Sequence, residues 1–161
     1  MRTRDFERLY DEHAQPLLAF LAYRTGDRDL AEDLLADTFE RVLTARRGFD
    51  RRKASEKTWL YTIALNLLRD HARRQAVRAR ALENVVAAAS TESLSGYEVV
   101  EQRDALQHAL ATLSDEEREA VALRFGADLT VPEIAKLTDQ KLTTVEGRVY
   151  RALRKLKDEL D

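Results

Sequence analysis

The stretch TVPEIAKLTDQKLTTVEGRVYRALRKLKDEL, residues 130–160, holds two helical periods on either side of a short break. Thr130–Leu137 reads as a short helix, Thr138–Leu142 as a tight connection, and Thr143 to about Glu159 as a longer helix. Thr130 with Glu133 three residues on forms a capping box, in which hydroxyl and carboxylate each take an orphan N–H. Pro132 stands in the first turn, where a missing N–H costs nothing. This spacing is that of a helix-turn-helix. Placed at about 3.6 residues per turn, Val145, Val149, Ala152, Leu153, Leu156 and Leu160 share an arc of roughly 100°, the expected buried stripe. Thr144, Gly147, Arg151, Arg154 and Lys155 lie opposite, with Arg148 on their flank. A cap and a solvated basic face would account for such residues. Hydroxyls, a glycine permitting close approach and arginines suited to guanine or phosphate favour DNA instead.

Upstream, Ser114–Glu117 repeats the capping pattern and Thr143–Glu146 supplies a third, so three expected helix starts follow one another. The second half restarts near Tyr97, with Val99, Val100, Leu106, Ala109, Leu110 and Leu113 in helical register. In the first half Phe6, Leu9, Tyr10, His13, Leu17, Phe20 and Leu21 recur at helical spacing, and Pro16 should kink or restart that helix. Gly26-Asp27-Arg28-Asp29 is a stop followed by a cap. The next helix puts Ala31, Leu34, Leu35, Phe39, Val42 and Leu43 on one face. Residues 46–57 read as a basic loop, about Lys57–Arg78 as a third helix, and 81–96 as a linker. No strand alternation occurs. The expected fold is all-α: two small helical domains, 1–80 and 97–161, joined by a flexible linker.

The charge layout sharpens this division. Residues 5–40 carry 3 basic and 10 acidic side chains, and residues 46–80 carry 11 and 3. Residues 83–119 carry 2 and 9, and residues 136–157 carry 7 and 2. Two basic blocks, each preceded by an acidic one, suggest two polyanion-facing patches attached to surfaces with another purpose. The absence of cysteine excludes disulfides and thiol chemistry, and fits a reducing cytoplasm. His13, His71 and His108 are too scattered for a metal site, and no cofactor motif or catalytic constellation appears. The N-terminus carries no apolar segment of signal-peptide type, and no run reaches the roughly 20 apolar residues of a membrane span.

On the third helix, Leu60, Ala64, Leu67, Leu68 and His71 form an apolar side, while Trp59, Ile63, Asn66, Asp70 and Arg73 form another line behind the basic loop. An aromatic among basic residues suits single-stranded or melted nucleic acid. Packing of Trp59 and Ile63 against neighbouring helices is an equally good reading. His71 is expected to be semi-buried and not catalytic.

Ala31-Glu-Asp-Leu-Leu-Ala-Asp-Thr-Phe39, with Trp59-Leu60, Ile63-Ala64, Asn66 and Asp70, resembles region 2 of extracytoplasmic-function sigma factors. Leu113-Ser114 to Arg118, Leu123-Arg124-Phe125, Glu133-Ile134-Ala135, Thr144-Val145, Arg148, Arg151-Ala152 and Leu156 resemble their region 4. The resemblance covers all but the linker. It implies a non-enzymatic, cytoplasmic initiation factor whose partners are core RNA polymerase, promoter DNA and an anti-sigma factor. Asp33, Leu34, Asp37 and Phe39 would grip the β′ coiled coil. Phe49, Arg51, Arg52, Lys53, Lys57 and Trp59 would surround the −10 element, with Asn66 at a flipped base and Arg73, Arg74 and Arg78 along the backbone. Thr143, Thr144, Glu146, Gly147, Arg148, Arg151 and Lys155 would face the −35 groove, and the preceding acidic helix would sit near the β flap. The linker would thread toward the RNA exit path. Two departures stand out: Asp139-Gln140 replaces the usual glycine and apolar residue of the turn, and Glu146 occupies a commonly basic position. A stand-alone helix-turn-helix repressor would need a dimerisation surface or effector pocket in residues 1–80, and no motif there suggests one.

Overall fold

A computed structural model describes residues 1–82 and 100–161, with side-chain surroundings from residue 104 onward in the second stretch. Residues 83–96 of the expected linker, and the restart at Tyr97 and Val99, lie outside the described residues. The chain divides into two units, Met1–Ser93 and Leu94–Asp161, and the described residues form seven α-helices and no strand.

In the first unit α1 (Thr3–Thr25), α2 (Arg28–Ala45) and α3 (Glu56–Ala81) pack on one another. Gly26 at φ 67° ends α1 by donating its N–H to the Ala22 carbonyl, and Asp27 caps α2 by accepting from the Leu30 N–H. A left-handed residue without a Cβ clash, followed at once by a cap, reverses the chain in two residues. The expected restart at Pro16 does not occur, because α1 is one helix through it. Pro16 and Glu12, whose carbonyl loses its partner, are both exposed to water, while Leu9, Ala14, Leu17, Phe20 and Leu21 on the other face are buried. That burial outweighs the roughly 3 kcal/mol cost of an interior proline.

The core joins Leu9, Leu17 and Leu21 to Ala31, Leu34 and Val42, and to Leu60, Tyr61, Ala64 and Leu65. α3 is rotated from its expected setting. Tyr61 meets Phe20 edge-on at 5.5 Å and Leu65 is buried, while Leu67, Leu68 and His71 are only half-buried. The larger aromatic takes the interior. Leu43 stays exposed, and Thr38 joins the buried line of α2 between Leu34 and Val42, its hydroxyl donating to the Leu34 carbonyl at 2.6 Å and so entering the core satisfied. A single 3₁₀ turn, Arg46–Gly48, opens the basic loop; Ser55 then caps α3, two residues before the expected end of that loop.

The second unit contains α4 (Val100–Ala111), α5 (Asp115–Val121), a π-helical turn (Ala122–Gly126), α6 (Val131–Thr138) and α7 (Leu142–Leu160). α7 packs on α4, α5 and α6. Two of the three expected capping boxes form, at Ser114–Glu117 and Thr130–Glu133. The third does not: Asp139 turns left-handed at φ 53°, and the Gln140 N–H returns to the Ala135 carbonyl at 2.9 Å. Lys141 is then the first extended residue and becomes the N-cap, which puts Thr143 inside the first turn of α7. The buried stripe is also shorter than expected: Val145, Val149 and Ala152 are buried, whereas Leu153 and Leu160 are exposed. α5 and α6, with 7 and 8 residues, cover only part of the 19-residue α7.

Tyr61 is 1% exposed, its hydroxyl has no hydrogen-bond partner, and burial pushes its pKa up to about 12. Tyr61→Phe keeps the ring contact and should raise stability by about 1 kcal/mol in denaturant unfolding at neutral pH. The folded-state pKa lies above the unfolded value, so the hydroxyl's contribution is complete below about pH 10 and is lost as pH rises toward 12. The variant should therefore lose less stability over that window than the unaltered chain.

Candidate nucleic-acid interface

On α7, Thr143, Thr144, Glu146, Arg151, Arg154 and Lys155 are exposed, and Gly147 and Arg148 are half-buried. Arg148 donates from Nη1 to Gln140 Oε1 at 2.7 Å, and the Thr138 hydroxyl lies 3.3 Å from the same oxygen. The amide that replaces an apolar turn residue thus fixes the position of a guanidinium. Gly147 makes room for a side chain of its own unit: a Cβ built there would stand 3.0 Å from Arg151 Nη1. Arg151 Nε lies 3.9 Å from Glu117 Oε1, and Lys155 Nζ donates to Glu117 Oε2 at 2.8 Å. Glu117 is 6% exposed, and the Lys155 ammonium holds its carboxyl below the ordinary carboxylate pKa. The sequence-expected Arg148, Arg151 and Lys155 are therefore brought together along one flank. Tyr150, 67% exposed, was not anticipated; its aromatic ring on the polar side of the period was the available signal.

In the first unit Phe49 and Trp59 pack ring on ring, with centroids 4.8 Å apart and planes at 40°. Both are half-buried, so Trp59 packs and still borders the surface. Asn66, Arg73 and Arg74 are exposed beyond it on α3, and Asp70 lies 3.7 Å from Arg73. In the basic loop, Arg51, Arg52 and Lys53 are exposed and Lys57 is half-buried. Glu56, the first residue of α3, accepts from Arg8 Nη2 at 3.0 and 3.1 Å and from Arg51 Nη2 at 3.1 Å. It ties the loop to α1. Sequence reading missed this hub, since Glu56 and Arg8 lie 48 residues apart.

The acidic set on α2 needs a correction. Asp33 and Asp37 are exposed, but Leu34 and Phe39 are each 5% exposed and belong to the core, Phe39 against Phe6 and Tyr10. Of the four, only the two carboxylates are on the surface.

Residues 9–78 match the family model for Sigma-70 region 2, and residues 103–156 that for Sigma-70 region 4. The ECF RNA polymerase sigma factor SigX of Bacillus subtilis is 32% identical over 162 residues, covering 93% of this chain and 82% of its own length. This chain belongs to the ECF sigma factors. The RNA polymerase sigma factor YlaC of Bacillus subtilis is 30% identical, over 98% of this chain and 93% of its own. The ECF RNA polymerase sigma factor BldN of Streptomyces coelicolor is 31% identical over 94% of this chain, which spans 58% of BldN's length. Among solved structures, the sigma factor RpoE from Bartonella quintana, in complex with the anti-sigma factor NepR, matches at TM-score 0.82 and 25% identity over 98% of both chains. CnrH, in complex with the cytosolic domain of CnrY, matches at 0.66 and 25% identity over 99% of this chain and 90% of its own. As an ECF sigma factor the chain is a transcription-initiation factor and not an enzyme. No described helix is long and apolar enough to cross a membrane.

The Glu56 hub gives a direct test of how the loop of this sigma factor is held. Glu56→Ala should speed amide hydrogen exchange across residues 49–54 while leaving the buried part of α2 protected. Unchanged exchange in the loop would mean that the Phe49–Trp59 contact orders it unaided.

Proposed function

We propose that this sigma factor binds core RNA polymerase in the cytoplasm and directs it to promoters with a −10 and a −35 element. In this reading residues 1–80 serve the polymerase and the −10 element, residues 97–161 serve the −35 element, and 81–96 link them. The observation that carries it is the pairing, in one chain, of a helix-turn-helix with a basic outward flank and a three-helix unit whose Phe49–Trp59 pair joins a basic loop to α3, with exposed Asn66 about two turns further along that helix. Anionic backbone is attracted to both surfaces, and an aromatic pair bordering the surface suits an unstacked base.

Within the −35 face, Thr143, Thr144, Glu146, Arg148 and Arg151 approach base edges, and Gly147 leaves room for Arg151. Exposed Glu146 accepts only from donors such as the cytosine amino group and so narrows the sequences tolerated. Within the −10 face, Arg51, Arg52, Lys53 and Lys57 surround the melted strand, Asn66 holds a flipped base, and Arg73 and Arg74 follow phosphates. Asp33 and Asp37 meet the β′ coiled coil, and the acidic start of α5 lies near the β flap. The sigma factor RpoE solved with the anti-sigma factor NepR supports an anti-sigma factor as a further partner.

Run-off transcription by core polymerase plus this chain on a randomised promoter library should enrich two separated sequence blocks, and core polymerase alone should enrich none. On the selected promoter Asn66→Ala should reduce permanganate reactivity of thymines in the bubble more than it reduces initial association. Normal opening together with altered −35 preference would mean that the two faces are assigned to the wrong elements.

A further inference from the structure

Glu117 stands out as a charged side chain, almost wholly buried, that faces the proposed −35 surface from outside the helix-turn-helix. It is the third residue of α5 and closes the capping box there, with the Ser114 N–H donating to Oε2 at 3.1 Å. The same carboxylate takes the Lys155 ammonium at 2.8 Å and lies 3.9 Å from Arg151 Nε. Lys155 is 38 residues away in sequence, so the contact joins α5 to the second half of α7. Taking Lys155 away would leave the almost wholly buried carboxylate with only the longer 3.9 Å contact to Arg151 as counterion, a costly state. Arg151 is held less tightly, but its guanidinium lies over Gly147, where a Cβ would push it by a few tenths of an ångström. The buried carboxylate thus holds the Lys155 ammonium directly and lies within reach of Arg151, whose guanidinium passes over Gly147.

We propose that Glu117 is a positioning residue for promoter recognition: its buried carboxylate retains Lys155 on the flank of α7, out of phosphate contact, and steers Arg151 over Gly147. The proposal rests on α7 entering the −35 groove. Its consequence follows from counterion release. Each cation that neutralises a phosphate adds about 0.9 to the slope of log affinity against log salt, regardless of sequence. A lysine paired within the protein adds nothing to that slope. Glu117 thereby limits sequence-blind attraction and leaves more of the binding to base contacts. An apolar contact between α5 and α7 would hold the helices together without this effect.

The test uses holoenzyme formed from the full chain and core polymerase. Affinity is measured for a promoter duplex and its −35-mismatched counterpart over a range of salt concentrations. Glu117→Gln keeps an amide oxygen for the Ser114 cap and removes the charge. It should steepen the salt slope by about 1–2, corresponding to one or two newly neutralised phosphates, and lower the matched-to-mismatched ratio. Lys155→Met in the unaltered chain should leave the slope where it was, and the same change in the Glu117→Gln background should remove about 0.9 of the increment. A slope lowered by about 0.9 in Lys155→Met alone overturns the proposal, as does an unchanged slope in Glu117→Gln. The charge-balanced double variant preserves the test if the buried carboxylate left by Lys155→Met unfolds the unit. Thr143→Val and Arg154→Met serve as controls on the groove itself. If neither changes −35 preference or salt slope, the groove reading fails; if they do while the Glu117 results are negative, only the role of Glu117 fails.

Discussion

A glutamate in the first turn of a helix, paired with two cations from elsewhere in its own unit, organises each of the two basic surfaces. Glu56 begins α3 and gathers Arg8 and Arg51; Glu117 lies in the first turn of α5 and gathers Lys155 and Arg151. Both carboxylates benefit from the partial positive charge of the helix start, which makes the position a natural place to collect cations. The effect is to convert flexible, strongly hydrated side chains into placed ones. It also removes part of the positive charge that the raw counts of residues 46–80 and 136–157 suggest. Neither surface is a simple patch of free cations, and this shapes how the protein meets DNA.

The second constraint is the turn between α6 and α7. Asp139 occupies the left-handed region that glycine fills most cheaply, and its short polar side chain makes it one of the few other residues that enter it readily. Once that residue is set, the return of the Gln140 N–H to Ala135 fixes where α7 begins, and the Gln140 side chain fixes Arg148. The departure from an apolar turn residue thus exchanges a packing contact for control over one guanidinium. In the first unit the comparable device is Gly26 followed by Asp27, which reverses the chain tightly enough for α1 and α2 to pack side by side.

Local chemistry made these features legible in the sequence. The Gly26 stop, the Ser114 and Thr130 caps and the helix-turn-helix break all depend on residues within a few positions of one another, and the basic and acidic blocks are plain counts. What was not legible depends on partners far along the chain. The rotation of α3 that buries Tyr61 and Leu65 follows from the position of Phe20 on α1. The narrowing of the buried stripe of α7 to Val145, Val149 and Ala152 follows from how α4, α5 and α6 pack on it. Leu34 and Phe39 carried a family motif, yet they sit inside, beside buried Val42, with the half-buried Phe6 and the exposed Tyr10 of α1 covering Phe39. Glu117 was visible as a cap, but its bond to Lys155 exists only once α5 and α7 are packed.

These arrangements give two DNA-facing surfaces of moderate charge, each on its own small helical unit. We infer that neither unit alone grips DNA strongly and selectively, and that a larger body holds both at the spacing a promoter demands. Core polymerase is the body we propose for this role. The most direct measurement compares the affinity of the full chain for a selected promoter duplex with its affinity for a scrambled duplex, first without and then with core polymerase. Weak, nearly equal binding is expected of the free chain, with strong discrimination once polymerase is present. Tight, sequence-specific binding by the free chain, unchanged when polymerase is added, would contradict it.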